Sequence, residues 1–285
     1  MNPENRALLG PNDVVLASHP GSGTHWIATL LVELGIFYAS GHDELLLDRN
    51  TQRTGGWLGP TLDGPPEGRG LSRPGLDPAE RRRRLPQLAR ETPAPVSFRE
   101  PLRVVLTNHS ALGQAIEQPV VLLVRDGRDT LLSLYHHLRS FGGLDCDFGT
   151  FLEGNHGAWP PPAWSWGVSV WSWVGAIPSP RLFALRFEDA RADPVGCFGR
   201  LLAFLGVERT PDEVRRAIEV SSYDAMRRRE EEGAGGGAAR VMRKGRVGEW
   251  RDVYDGEQVA CFRGLPTRVL AHFGYPVEPD AKGQL

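Results

Sequence analysis

The stretch from Asp13 to Trp26, DVVLASHPGSGTHW, holds the residue types that bind an anion through the main chain. An apolar run ends at Ser18, a Pro20-Gly21-Ser22-Gly23 turn follows, and a helix opens at about Thr24. The amides of such a turn and the N-terminus of the helix converge on one point, where aligned peptide dipoles favour negative charge. Glycine belongs there because a side chain would block the approach. The turn lacks the GxxxxGK[ST] pattern and has no lysine to reach a β- or γ-phosphate, which disfavours a nucleoside triphosphatase. Taken alone, the stretch also reads as a tight strand-to-helix turn with no ligand.

Two later stretches offer partners for an anion. PVVLLVRDGRDTLLSLYHHL puts Arg125 at a strand end and Ser133 a turn or two into the next helix, where both can face one anion. MRKGRVGEW supplies Arg243, Lys244 and Gly245. Of the 33 basic residues only Lys244 and Lys282 are lysine, which gives Lys244 the look of a residue kept for a specific task. The same bias points to a GC-rich coding sequence and an origin in a high-GC bacterium.

The elements that must position these residues follow from periodicity. Residues 14–18, 104–107, 120–124 and 182–187 are continuous apolar or β-branched runs, the pattern of strands covered on both faces of a parallel sheet. Between them, Ile27, Leu30, Leu31 and Leu34 share one helical stripe. Asp193-Pro194 reads as a helix start and Gly206 as a helix stop. Strands alternating with helices give an α/β fold, a parallel central sheet flanked by helices, in a single domain over 1–285. Residues 48–96, rich in Gly, Pro and Arg, are expected to form an irregular lid insertion, and residues 227–240 a flexible loop.

The 285 residues are 40% hydrophobic with a formal charge of −2, so the chain builds a large core and carries no basic field to gather polyanions. Cys146, Cys197 and Cys261 lie far apart and form no CxxC pair, so they are read as plain thiols and no metal site is expected. The first residues have no apolar signal segment and no stretch reaches the roughly 18 apolar residues of a spanning helix, which gives a cytoplasmic expectation.

In order, these motifs resemble those of the sulfotransferases that use 3′-phosphoadenosine 5′-phosphosulfate (PAPS). The family's 5′-phosphosulfate loop reads like Pro-Lys-Ser-Gly-Thr-Thr-Trp, its 3′-phosphate segment like Arg-x-x-x-Asp-x-x-x-Ser, and its late motif like Arg-Lys-Gly-x-x-Gly-x-Trp. Trp164, Val168 and Trp171 match a Trp-x-x-x-Val-x-x-Trp segment, and Phe187, Glu188 and Asp189 match Tyr-Glu-Asp. The resemblance implies a P-loop NTPase-like three-layer sandwich and sulfuryl transfer to a hydroxyl or amine of a small molecule, leaving 3′,5′-ADP. It implies that Gly21, Ser22, Gly23, Thr24 and His25 hold the phosphosulfate and that Trp26 and Tyr223 sandwich the adenine. Arg125, Ser133, Arg243, Lys244 and Gly245 would hold the 3′-phosphate, and His109, where the family has Lys-Thr-His, would be the general base.

The chain departs from that pattern where charge matters. The loop lysine is Gly21 and the lysine before the catalytic histidine is Thr107. His25, the loop amides or an arginine of the 48–96 segment are expected to meet the leaving group instead. Trp57, Phe141, Phe148, Phe151 and Trp159 are candidates for an acceptor pocket suited to a ring-bearing or lipidic molecule, or else pack a cap. Tailoring of a secondary metabolite, as in antibiotic biosynthesis, is the expected setting. Two other classes stay open: a non-catalytic module that binds 3′,5′-ADP or PAPS, motivated by Gly21 and Thr107, and a small-molecule kinase, which the missing loop lysine disfavours and for which no clear magnesium carboxylate is seen, since Asp126 and Asp129 fit the sulfotransferase-like segment better.

Overall fold

Every residue from Asp13 to Ser18 is buried, which requires cover on both faces of the strand they form. The computed structural model describes Arg6 and residues 9–40, 102–108, 110–140, 144–154, 161–233 and 245–277. The 48–96 insertion, His109, Arg243 and Lys244 lie outside the described residues.

Among the described residues five strands, β1 Asp13–Ser18, β2 Phe37–Ser40, β3 Arg103–Thr107, β4 Val120–Val124 and β5 Leu182–Arg186, form one sheet in the order β2-β3-β1-β4-β5. All four pairings are parallel. The four expected runs are strands, with β5 ending one residue early because Phe187 opens the next helix. β2 was not expected. Its four residues begin just past the Gly35 turn that follows the first helix and are too few to show a period.

The helices are α1 Thr24–Glu33, α2 Gly127–Ser140, α3 Phe148–Glu153, α4 Pro162–Ala176, α5 Phe187–Ala192, α6 Pro194–Leu205, α7 Pro211–Val220, α8 Tyr223–Gly233, α9 Gly256–Ala260 and α10 Leu265–His272, with a 3-10 turn at Glu249–Asp252. Asp193 caps α6 by accepting the Gly196 N–H at 2.9 Å, and Gly206 ends it at φ 67°, a left-handed conformation that glycine adopts without strain. One expectation is corrected here. Residues 227–233 are not loop but continue α8, because Arg and Glu favour helix and the glycine-rich part begins only after them. Residues 234–240 lie outside the described residues.

Strand alternation sorts the core into two layers. Val15, Ala17, Val105 and Leu122 pack with Leu131, Trp166, Val170 and Trp173 on one face. Val14, Leu16, Val104 and Leu123 pack with Ile27, Leu30 and Phe198 on the other. Truncating a buried side chain such as Ile27 to alanine costs about 2–5 kcal/mol. On α4 the core tryptophans are Trp166 and Trp173, whereas Trp164 and Trp171, the pair in the family-like segment, are exposed. Helices on both faces of a parallel sheet make the three-layer sandwich that the sequence implied.

β1 lies between β3 and β4, and the chain crosses from one side of β1 to the other when it passes from β3 to β4. In open parallel sheets ligands bind at the carboxyl ends of strands beside such a switch. The Pro-Gly-Ser-Gly turn leaves the end of β1 and Arg125 leaves the end of β4, and Ser18 pairs in register with Leu123. Topology alone therefore sets the two anion-binding candidates side by side.

Candidate functional site

Gly21 and Gly23 are needed for two reasons. Both have φ in the left-handed region, 90° and 98°, and both are pressed against neighbours. A Cβ on Gly21 would stand 2.5 Å from the Thr130 carbonyl oxygen and 3.2 Å from the Leu134 nitrogen, so the turn lies directly on α2. A Cβ on Gly23 would meet the Phe187 ring at 2.7 Å. Gly23 also caps α1, with no side chain bonded to the cap and no acidic residue in the first turn. The positive end of the helix thus faces the turn without a built-in counter-charge. Ser22 is 1% exposed and its hydroxyl has no hydrogen-bond partner among the described residues. Leaving a buried hydroxyl unsatisfied costs about 1–3 kcal/mol, and a ligand acceptor at this turn removes that cost.

Arg125 ties this turn to the late motif. It is 4% exposed, lies over the Phe187 ring at 4.6 Å, and donates from Nη1 to the Gly21 carbonyl at 3.1 Å and from Nη2 to the Arg246 carbonyl at 3.0 Å. One guanidinium therefore spans residues 104 and 121 positions away in sequence. Asp129 fixes the same late segment from α2: its carboxylate accepts the Gly248 N–H at 2.6 Å and the Trp250 N–H at 2.8 Å. Burial raises the Asp129 pKa, against the pull of Arg125 and the two N–H groups. Trp250 is clamped by Arg128, 3.7 Å from its ring centre, and by Arg251 at 4.7 Å. Gly245, at φ 57°, is the described end of the Arg-Lys-Gly motif, and a Cβ there would touch the Tyr223 ring at 3.4 Å.

Of the sequence-predicted residues, the structure thus brings together Gly21, Ser22, Gly23 and Arg125, sets Gly245 beside Tyr223, and links both groups through Arg246. Thr24 opens α1, and its hydroxyl lies 2.8 Å from that of Ser18. Ser133 lies on α2 in the stripe that faces the turn, since Thr130, Ser133 and Leu134 share one helical face. His25 follows Thr24. Burial, with the nearby His137 adding to it, lowers its pKa to about 4, so at neutral pH it is an uncharged imidazole and not the cation its position suggested. Trp26 is 8% exposed and held edge-on by Phe187 at 5.6 Å and Phe198 at 5.5 Å, so much of its ring belongs to the core. Asn108, the residue before His109, accepts a hydrogen bond from the Ser18 hydroxyl at 3.0 Å.

His19 was not legible as part of the site, and the bonds of Glu188 and Asp126, known from the sequence only as motif residues, were not legible either. His19 has its Nδ1 2.9 Å from the Pro20 carbonyl, and burial lowers its pKa to about 4. Glu188 accepts the Asp126 N–H at 3.0 Å and the Tyr275 hydroxyl at 2.7 Å, which anchors the segment that carries Arg125. Burial raises the Glu188 pKa. Asp126 forms a two-pronged pair with Arg128 at 2.9 and 2.7 Å. Asp126 and Asp129 are therefore both committed to arginine or main-chain N–H groups, an arrangement that does not fit their use as magnesium ligands. Phe148 and Phe151 pack on Tyr135 and on each other, with Phe151 in the core, which answers the cap-or-pocket question for these two in favour of packing. Trp57, Phe141 and Trp159 lie outside the described residues. No described helix is long and apolar enough to cross a membrane.

Comparison with known proteins bears on this arrangement. The family model described as the sulfotransferase domain matches residues 11–273. Sulfotransferase 1A1 of Bos taurus is 24% identical over 278 residues, which covers 92% of this chain and 84% of that protein. Sulfotransferase 2A1 of Mus musculus is 28% identical over 166 residues, 54% of this chain and 56% of that protein. Among solved structures, mouse sulfotransferase SULT7A1 complexed with PAP has a TM-score of 0.61 at 20% identity, covering 92% of this chain and 86% of that one. Retinol dehydratase in a complex with retinol and PAP has a TM-score of 0.58 at 20% identity, covering 95% of this chain and 84% of that one. The two structures share this fold.

Proposed function

From the premise that the chain belongs to the sulfotransferase family, we propose that it moves a sulfuryl group from PAPS to a hydroxyl or amine of a small molecule, with 3′,5′-ADP as the second product. The observation that carries this is Arg125: its two hydrogen bonds hold the β1 turn and the late motif at one place, as a nucleotide with a phosphate at each end requires. The orphaned Ser22 hydroxyl, the side-chain-free cradle at Gly21 and Gly23 and the open start of α1 fit a phosphosulfate.

In this reading Ser22, Gly23, Thr24 and the α1 amides hold the 5′ end. Arg125, Ser133, Arg243, Lys244 and Gly245 hold the 3′-phosphate, with Trp26 and Tyr223 at the adenine. Bound PAPS supplies an activated sulfur whose bond to the phosphate oxygen breaks as the acceptor attacks. His109 takes the acceptor proton, a task that suits an imidazole near neutrality. The acceptor is ring-bearing or lipidic, the setting is secondary metabolism, and the location is the cytoplasm.

The test is to incubate the protein with PAPS and a panel of phenols, alcohols and amines and follow 3′,5′-ADP release. Acceptor-dependent release that His109→Ala abolishes while 3′,5′-ADP affinity is kept supports the proposal. Turnover that survives His109→Ala contradicts the base. Gly21 favours a second reading, a nucleotide-binding module without catalysis, because no side chain can be restored there on this backbone. Tight binding of 3′,5′-ADP with no release across the whole panel selects it.

A further inference from the structure

The peptide bond between Arg125 and Asp126 is held by residues remote in sequence. Its N–H, on Asp126, donates to Glu188 Oε1 at 3.0 Å, and the other oxygen of that carboxylate accepts the Tyr275 hydroxyl at 2.7 Å. Tyr275 stands just past α10, beyond residue 273 where the family match ends. Its own N–H donates to the Leu270 carbonyl at 2.9 Å as the helix stops, so the end of α10 fixes where the tyrosine starts. The ring is 5% exposed, and the Arg186 guanidinium lies 4.6 Å from its centre. Arg186 closes β5 in register with Val124 of β4, which sets the ring at the carboxyl ends of the two strands beside Arg125. Pro276 adds a second tie: its carbonyl accepts Arg128 Nη2 at 2.9 Å, while the same guanidinium packs on Trp250 and pairs with Asp126. Tyr275 and Pro276 thus grip the segment from Asp126 to Arg128.

We propose that Tyr275 is a positioning residue for the 3′-phosphate end of the site: acting through Glu188, it fixes the peptide that follows Arg125 and with it the aim of the Arg125 guanidinium. The proposal rests on the PAPS reading and deepens it, since Arg125 is the residue that meets the 3′-phosphate in that reading. A peptide unit is planar, so holding its N–H fixes the whole plane and the backbone angle ψ of Arg125. A long side chain magnifies any rotation at its base, and a guanidinium fork rewards an anion only where its N–H groups already point at it. Arg125 also carries the bonds to Gly21 and Arg246, so a turn of that peptide is felt at the β1 turn and at the late motif together. Loss of the tyrosine hydroxyl takes a donor from a buried carboxylate, which then gains by swinging toward water and off the Asp126 N–H.

The test uses two probes that differ only at the 3′ carbon, 3′,5′-ADP and adenosine 5′-monophosphate. By calorimetry the wild type prefers 3′,5′-ADP, and Tyr275→Phe narrows that preference about fivefold, weakening 3′,5′-ADP while the monophosphate binds as before. Ile116→Val, a core truncation in the connection that enters β4, lowers stability and leaves the preference unchanged. Glu188→Gln still accepts the Asp126 N–H and can donate to the tyrosine oxygen, so it keeps most of the preference. Glu188→Ala narrows it at least as far as Tyr275→Phe does, and adding Tyr275→Phe to Glu188→Ala narrows it no further. An unchanged preference in folded Tyr275→Phe, equal weakening of both probes, or a further loss in the double variant overturns the positioning role and leaves the PAPS reading standing. A wild type with no preference between the probes overturns both.

Discussion

The turn after β1 holds its shape by having no side chains at Gly21 and Gly23, whereas the late segment from Gly245 to Trp250 holds its shape through the Asp129 carboxylate. At the first region backbone is pressed on helix α2 and on Phe187, and the polar group left over is a hydroxyl with no partner among the described residues. At the second, the Gly248 and Trp250 N–H groups are met by a buried carboxylate and the tryptophan is clamped by arginines. On the proposed function the first region is a cradle that its ligand completes, and the second is a prebuilt wall. Arg125, bonded to a carbonyl of each, makes their separation a fixed distance.

The sharpest way to break this contrast is Gly21→Lys, which restores the residue found in the family's loop. On this backbone it collides with the Thr130 carbonyl, so we expect a loss of 3′,5′-ADP affinity of 100-fold or more in calorimetry, the opposite of a gain by restoration. An affinity equal to or above wild type would show that the turn relaxes freely. Next in size is Asp129→Ala, which strips two N–H groups of their charged acceptor. It should lower stability by about 3 kcal/mol in urea unfolding and weaken 3′,5′-ADP binding with it. Ser22→Ala should instead separate affinity from stability. It removes an unsatisfied hydroxyl, so apo stability holds or rises slightly while 3′,5′-ADP affinity falls about tenfold. Parallel losses of stability and affinity at both positions would erase the distinction between cradle and wall.

A smaller effect concerns pH. The folded-state pKa of His19, about 4, lies below the 6.5 of an exposed imidazole, so the unfolded chain takes the proton first. Its contribution is present above about 6.5 and is lost as pH falls toward 4, on the order of 3 kcal/mol in all. The raised carboxyls of Asp129 and Glu188 act with the opposite sign, gaining stability on protonation. Unfolding of wild type and His19→Gln at pH 7 and pH 5 isolates the histidine. The gap between the two pH values should shrink in the variant, and an unchanged gap refutes the assignment.

The sequence made the cradle legible because its requirements are local. A strand, two glycines and a helix start are read from neighbours in the chain, and the buried runs of β1 and β4 announce a parallel sheet. The wall was legible only as a motif. Nothing near Asp129 says that its carboxylate will be spent on amides 119 and 121 residues away, nor near Glu188 that it will receive the Tyr275 hydroxyl. His25 was singled out by position, but its neutrality comes from burial and from His137, a neighbour in space alone. The tryptophans of α4 show the same limit: Trp164 and Trp171 attract attention as a motif, yet Trp166 and Trp173 carry the packing.

The most direct measurement is calorimetric titration of the wild-type protein with 3′,5′-ADP and, separately, with ATP. Cradle and wall at a fixed distance predict that the nucleotide with single phosphates on its 3′ and 5′ carbons binds at least 100-fold more tightly than the 5′-triphosphate. Equal affinities, or a preference for ATP, would show that the turn and the late segment do not hold the two ends of one nucleotide.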